Sequence, residues 1–324
     1  MPAIKLENIR HVFQTTTGTV RRRSREVVAL DDVSLEIEEG EMFGFLGPNG
    51  AGKTTTIKLL TTLLIPTSGR ATVMGLDAVK DAKSLRSQIG FLLGGERGLY
   101  YRLTGRENLR YFAVLYHLEP RRAKSRVEEL LELVGLKDRA EERVAGYSRG
   151  MKQRLHIARM LLHDPHILFL DEPTMGLDPV GARELRDLLH RLHTEEKRTV
   201  LLTTHYMFEA DALCQRIAIL DQGRVVAQGT PESLKDLVSD LSVVELEVFG
   251  AGPECLDRLR ELEAVDSVVV EQQELRQLVR VQTRLGAAAV PRLVASLDGL
   301  AVGRISVRES TLEDAYVRLV GRTE

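Results

Sequence analysis

The chain has 324 residues, enough for a full hydrophobic core and more than one domain usually needs, so one large and one small domain are expected. Its 45 Lys and Arg nearly balance 47 Asp and Glu, and this lack of a basic excess argues against nucleic acid as a partner. Cys214 and Cys255 form no CxxC and give no zinc set, no apolar run approaches the roughly 18–20 residues that cross a bilayer, and residues 1–10 hold no signal-peptide core, so a cytoplasmic location is expected.

Strand-like runs at 4–9 and 27–37 flank a polar, basic connection at 14–25, whose arginines read as a solvated loop. After the Glu38-Glu39-Gly40 turn, the apolar run 42–46 predicts a strand, followed by a glycine-rich loop and a helix over 53–64 stopped by Pro66. From about 99 to 162 the pattern is helical: Val127, Leu130, Leu131 and Val134 share a face, with Ser125 and Glu128 as a capping box and Gly135 as the stop. Strand signals return at 167–170, 200–203 and 217–220, the last joined through Asp221-Gln222-Gly223 to 225–227 as a hairpin. Strands alternating with helices predict an α/β domain with a mainly parallel sheet, over residues 1–237, interrupted by a helical subdomain at about 96–163.

Beyond Leu237 the order is strand 243–249, helix 254–262, strands 265–271 and 275–283, helix 287–297 and strand 301–307. This predicts a small ferredoxin-like α+β domain over 238–324. A last helix carries Leu312, Ala315, Tyr316, Leu319 and Val320 on one face, with Ser310 and Glu313 as a capping box, and is expected to pack back on the body.

Gly47-Pro48-Asn49-Gly50-Ala51-Gly52-Lys53-Thr54 matches the P-loop pattern G-x-x-x-x-G-K-[ST], and it lies between a predicted strand and a predicted helix. The glycines let successive N–H groups turn toward phosphate oxygens at a helix start, where Thr55 follows. Lys53 is expected to reach the β- and γ-phosphates, and Thr54 to offer Mg²⁺ a hard oxygen. An ordinary glycine turn would not require Lys-Thr there, so nucleotide binding is the inference.

The apolar run 167–170 ends in Asp171-Glu172, two carboxylates at the C-terminal edge of a buried strand, where ligands of α/β sheets bind. Asp171 is expected to hold Mg²⁺ through water, and Glu172 to polarise the attacking water. Helix capping is the plainer reading of that pair, but Pro173 to Pro179 intervene before helical spacing resumes. His205 leaves another apolar strand through Thr203-Thr204 and reaches the same edge, within range of a γ-phosphate. Ser148 precedes a helical stretch and reads as an N-cap, which makes a second anion site at that helix start.

Together, Gly47 to Thr54, Tyr147-Ser148-Arg149-Gly150-Met151-Lys152-Gln153-Arg154, Asp171-Glu172-Pro173-Thr174, Gly176-Leu177-Asp178 and His205 resemble the ATP-binding cassette family of P-loop NTPases. The resemblance implies ATP and Mg²⁺ as cofactors, with Ser148 and Gly150 in the signature motif, Asp178 in the D-loop and Phe13 stacking on adenine. It further implies two cassettes clasping two ATP molecules head to tail, the second being a copy of this chain or a related cassette. Two departures stand out. Arg149 replaces the usual signature glycine, a cation expected to face phosphate; and Gly94 or Gly95 stands where the Q-loop glutamine belongs, so Glu96 is expected to take over metal contact and coupling.

The runs 103–109 and 312–316 look like cassettes of the daunorubicin-resistance group, which implies an exporter of drug, antibiotic or lipid-like substrates. The leading expectation is an ATPase at the cytoplasmic face of the cell membrane, docked on a transmembrane permease through residues 96–116. The alternative is a soluble cassette ATPase serving ribosomes or DNA ends, against which a single P-loop and the lack of sustained heptads both argue. For the C-terminal domain, dimer stabilisation is favoured over ligand sensing, because the segment shows no glycine-rich or acidic ligand cluster.

Overall fold

A computed structural model describes residues 2–17, 23–93, 98–238, 242–263, 265–273, 276–297 and 299–320. Contacts divide the chain into two units, Met1–Gln228 and Gly229–Glu324.

The first unit begins with β1 (Ile4–Thr17), β2 (Arg23–Ile37) and β3 (Met42–Leu46), followed by α1 (Lys53–Leu60). Next come β4 (Ser68–Val73), β5 (Leu76–Asp77), α2 (Ala82–Arg86) and β6 (Ile89–Leu92). Three helices then form the helical subdomain: α3 (Gly105–Leu115), α4 (Pro120–Leu133) and α5 (Arg149–Met160). The chain returns through β7 (Ile167–Asp171), α6 (Pro179–Thr194), β8 (Thr199–Thr204), α7 (Met207–Leu213), β9 (Arg216–Asp221) and β10 (Arg224–Gly229).

A six-stranded sheet runs β10-β9-β3-β8-β7-β6. The pairs β9·β3, β3·β8, β8·β7 and β7·β6 are all parallel. Strands β3, β7 and β8 are buried along their whole length, which is why they read as continuous apolar runs rather than alternating ones. β10 joins β9 through Gln222 and Gly223, both at positive φ (45° and 79°), the backbone a two-residue hairpin turn needs. A separate antiparallel sheet, β2-β1-β4-β5, shares one core with α1: Ile4, Leu6, Ile9, Leu30 and Val33 meet Phe43, Phe45, Ile57, Leu60 and Phe169.

Three expectations are corrected here. The basic connection is largely strand: backbone pairing continues from Phe13↔Val27 out to Thr17↔Arg23, and residues 18–22 lie outside the described residues. α1 stops at Leu60 rather than Leu64, because Thr62 turns left-handed (φ 64°) and the N–H groups of Leu63 and Leu64 fold back onto the Lys58 carbonyl at 2.8 and 3.1 Å. α4 starts at Pro120, not Ser125: the Glu119 side chain accepts from Arg122 N at 2.9 Å and Pro120 fills the first turn, where a missing N–H costs nothing. A true capping box lies at Thr104 and Glu107, with reciprocal bonds of 3.1 and 2.8 Å. Fully buried Asn108 then clamps the preceding loop through Tyr100 N, Tyr100 O and Thr104 O.

The second unit holds α8 (Pro231–Asp236), β11 (Ser242–Phe249), α9 (Pro253–Arg260), β12 (Val265–Gln273), β13 (Arg276–Thr283), α10 (Val290–Ser296), β14 (Ala301–Glu309) and α11 (Leu312–Val320). Its sheet order is β12-β13-β11-β14, with every pair antiparallel, the split βαβ arrangement. Cys255 and Leu259 of α9, Leu293 of α10 and Leu297 at its C-cap pack on Val244, Leu246, Val248, Val279 and Val281. The division falls before α8 rather than at Leu237, because the end of α8 belongs to α11: Val238 and Ala315 are buried together, and Arg318 donates to Leu237 O at 3.1 Å.

Asp314 holds the start of α11. It accepts from Thr311 N (2.7 Å), Thr311 Oγ1 (2.8 Å) and Arg308 Nη1 (2.6 Å), whereas Glu313 lies 3.4 Å from Arg280. Burial pushes the Asp314 carboxyl up, but the bonds from Arg308 and Thr311 outweigh it and hold the pKa below the ordinary 3.8. A depressed carboxyl pKa adds stability that is fully present above the unfolded value and fades as pH falls through the folded one. Asp314→Asn should therefore lower stability of the full chain at neutral pH, with the gap to wild type closing below about pH 4. Urea unfolding at stepped pH values checks this, and a gap that persists undiminished at pH 3 would contradict it.

Candidate active site

The parallel order of β3, β7 and β8 brings three chain segments to one C-terminal sheet edge. β3 delivers the P-loop, β7 delivers Asp171 and Glu172, and β8 delivers Thr203, Thr204 and His205.

In the P-loop, Gly50 and Gly52 have φ of 88° and 108°. A Cβ on Gly52 would stand 2.6 Å from Leu30 Cδ2 and 2.7 Å from the Ala29 carbonyl, so this position needs glycine for both conformation and space. Gly52 caps α1 without a side-chain bond, and no acidic residue sits in the first turn. The N–H groups of that turn are thus left for an anion. Lys53 is 5% exposed; its ammonium donates to the carbonyls of Gly47 and Pro48 and lies 3.6 Å from Glu172 Oε1. Burial lowers the Lys53 pKa, and the charges of Glu172 and Asp171 oppose that drop.

Thr54 Oγ1 lies 2.8 and 3.1 Å from the two carboxylate oxygens of Asp171. Adjacent hydroxyl and carboxylate oxygens suit a hard cation that also binds phosphate and water. Among the described residues no group of three or more His, Cys, Asp or Glu could hold a metal ion by itself. Glu172 adopts φ 48°, uncommon for a non-glycine residue, and its N–H is held by Thr203 O at 3.0 Å and Thr203 Oγ1 at 3.1 Å. The side chain so directed reaches Lys53 on one oxygen and His205 Nδ1 on the other, at 3.1 Å.

The remaining candidates stand apart from this cluster. Phe13 is 36% exposed on β1, edge-on to His11 with centroids 4.5 Å apart. Ser148 is the N-cap of α5, its Oγ accepting from Met151 N at 3.2 Å, as the sequence implies. Asp178 caps α6 by accepting from Gly181 N at 2.7 Å. The Arg149 guanidinium lies against Gly176 of its own chain, where a Cβ would collide with it. Gly94, Gly95 and Glu96 lie outside the described residues. Two contributors were not singled out from sequence. Gln153 ties α5 to the Pro173 carbonyl at 2.7 Å, and Thr203 donates to Asp171 Oδ1 at 2.6 Å. The signal that marks Thr203 is a hydroxyl directly after the apolar run Val200 to Leu202 of β8, in line with Asp171 at the end of the apolar run of β7.

The sequence profile of the ABC transporter family matches residues 30–175. The chain is 39% identical over 312 residues to the daunorubicin resistance ATP-binding protein DrrA3 of Streptomyces coeruleorubidus, covering 94% of this chain and 95% of that protein. This chain belongs to the ATP-binding subunits of ABC transporters. The cassette is also 44% identical over 223 residues to the ABC transporter ATP-binding protein NatA of Bacillus subtilis (strain 168), covering 68% of this chain and 90% of that one. Among solved structures, the dimeric post-hydrolysis state of the ATP-binding cassette MJ0796 bound to ADP and Pi resembles it with a TM-score of 0.62 at 28% identity, over 70% of this chain and 98% of that one. The cassette accordingly binds and hydrolyses ATP, and among the described residues no helix is long and apolar enough to cross a membrane.

The P-loop glycines should differ in tolerance. Gly50→Ala, with nothing within 4 Å of its Cβ, should cost about 1–2 kcal/mol of conformational strain, whereas Gly52→Ala adds a clash with backbone and should cost clearly more. Chemical denaturation of the two variants checks the order; equal losses would contradict it.

Proposed function

We propose that this cassette powers export of a drug-, antibiotic- or lipid-like compound by a separate transmembrane permease, working at the cytoplasmic membrane face as a dimer with a second copy or a related cassette. The observation that carries the catalytic part is the meeting of Lys53, Thr54, Asp171, Glu172 and His205 at one sheet edge. In this reading the loop Gly47, Pro48, Asn49, Gly50, Ala51, Gly52, with Thr55 behind it, cradles the phosphates of ATP and Lys53 contacts the β- and γ-phosphates. Thr54 and Asp171 hold Mg²⁺, which neutralises phosphate charge. Glu172 orients and deprotonates the attacking water, and His205 holds Glu172 and faces the γ-phosphate. Phe13 stacks on adenine.

Support for a second cassette comes from the signature loop. Among the described residues a Cβ on Gly150 would meet only Ser148 Oγ at 3.9 Å, so none of them demands glycine there. A demand from outside, a partner's nucleotide lying against Ser148 and Gly150, accounts for it. The dimeric MJ0796 cassette and the resistance role in the name of the Streptomyces relative fit this assembly. The C-terminal unit is assigned to dimer stabilisation. For the permease, α3, the loop before it and its C-cap expose Tyr100, Tyr111, Val114, Leu115 and Tyr116, an apolar face with Val114 at 71% exposure.

Glu172→Gln should retain ATP binding while lowering turnover by at least about a hundredfold, since the water loses its base. Steady-state hydrolysis and nucleotide-binding assays on the same preparation check this; turnover near wild type would refute the assignment. Val114→Glu combined with Leu115→Glu should abolish co-purification with the permease and leave ATP affinity unchanged, because a charge at a buried docking contact goes unpaired. Undiminished co-purification would move the docking face elsewhere.

A further inference from the structure

Thr203 is fully buried at the end of β8, and its hydroxyl faces both acidic residues at the end of β7. We propose that Thr203 is a positioning residue for ATP hydrolysis, its single hydroxyl setting the orientation of Asp171 and the left-handed backbone of Glu172 together. The inference rests on the roles given above to those two carboxylates.

The chemistry of the hydroxyl fixes the direction of each bond. An ionised carboxylate only accepts, so the one Thr203 proton goes to Asp171 Oδ1 at 2.6 Å. The hydroxyl lone pairs then remain for the Glu172 N–H at 3.1 Å, which also reaches the Thr203 carbonyl at 3.0 Å. Two acceptors on one N–H hold Glu172 at φ 48°, a backbone state that costs a non-glycine residue energy and that aims its side chain at Lys53 and His205. For Asp171, Thr203 occupies Oδ1 and leaves Oδ2 turned to Thr54 at 2.8 Å. The Thr54 hydroxyl is itself assigned to the metal, so Thr203 is the donor that stays on Asp171 whatever Thr54 contacts. β8 pairs with β7 in register at this point, Asp171 opposite Thr203, so the contact is set by the sheet rather than by a loop.

The test compares full-length Thr203→Val, Thr203→Ala and Thr203→Ser with Glu172→Gln and wild type. Three quantities are read: kcat, KM for ATP, and the Mg²⁺ concentration that half-saturates binding of trinitrophenyl-ATP. Valine and alanine should lower kcat about tenfold to a hundredfold and raise the Mg²⁺ requirement about tenfold, with KM for ATP little changed; serine should stay within about threefold of wild type on each. Wild-type kcat and Mg²⁺ requirement in either hydroxyl-less variant overturns the proposal, as does a serine variant impaired like valine. If valine does not fold, alanine decides on the same criteria; loss of fold in both beside a stable serine variant makes the hydroxyl a folding element and overturns it too. Wild-type turnover in Glu172→Gln removes the underlying site reading, whereas an inactive Glu172→Gln beside an unaffected Thr203→Val removes this inference alone.

Discussion

A carboxylate almost out of reach of water, at the end of a strand buried on both faces, is the constraint on which the site depends. Asp171 is 5% exposed, and an unpartnered charge there would be costly. It is sustained by two threonine hydroxyls, one from the start of α1 and one from the end of β8. Those partners reach it only when β3, β7 and β8 are parallel and in register, so the polar arrangement at the edge and the apolar packing of the sheet support one another.

The same edge stores strain. Glu172 and Gly52 both take positive-φ backbone beside neighbours on a different segment: Thr203 holds the N–H of Glu172, and Leu30 and Ala29 wall in Gly52. Such conformations persist where surrounding structure over-determines them, and they aim groups that regular strand or helix ends would not. Lys53 illustrates the outcome. Its buried ammonium is satisfied by carbonyls of its own loop and by a nearby carboxylate, a set of contacts that anionic phosphate oxygens can replace in kind.

The second unit follows a different logic. Its two core helices cover one sheet face with aliphatic side chains, and α11 is fastened by charge, Asp314 to Arg308 and Thr311. The run 312–316, which marks the subgroup at the sequence level, thus has a physical role, since it starts α11 and ties it to β14. Leu312 and Ala315, both buried, supply the packing that this fastening orients.

The sequence by itself determined the P-loop, the acidic strand end and the order of elements in the second unit, because glycine spacing, a Lys-Thr pair and apolar runs are local patterns with few other physical uses. It also marked Ser148 as a helix cap, since that geometry spans only four residues. The start of α4, the end of α1 and the strand character of 14–17 were decided by the fold, where a proline in a first turn, a left-handed threonine and cross-strand pairing outweigh local periodicity. Only the tertiary structure showed that Thr203 serves Asp171 and that Arg149 rests on Gly176, because those pairs are separated by 32 and 27 positions and meet through sheet register and helix placement, which no local pattern records.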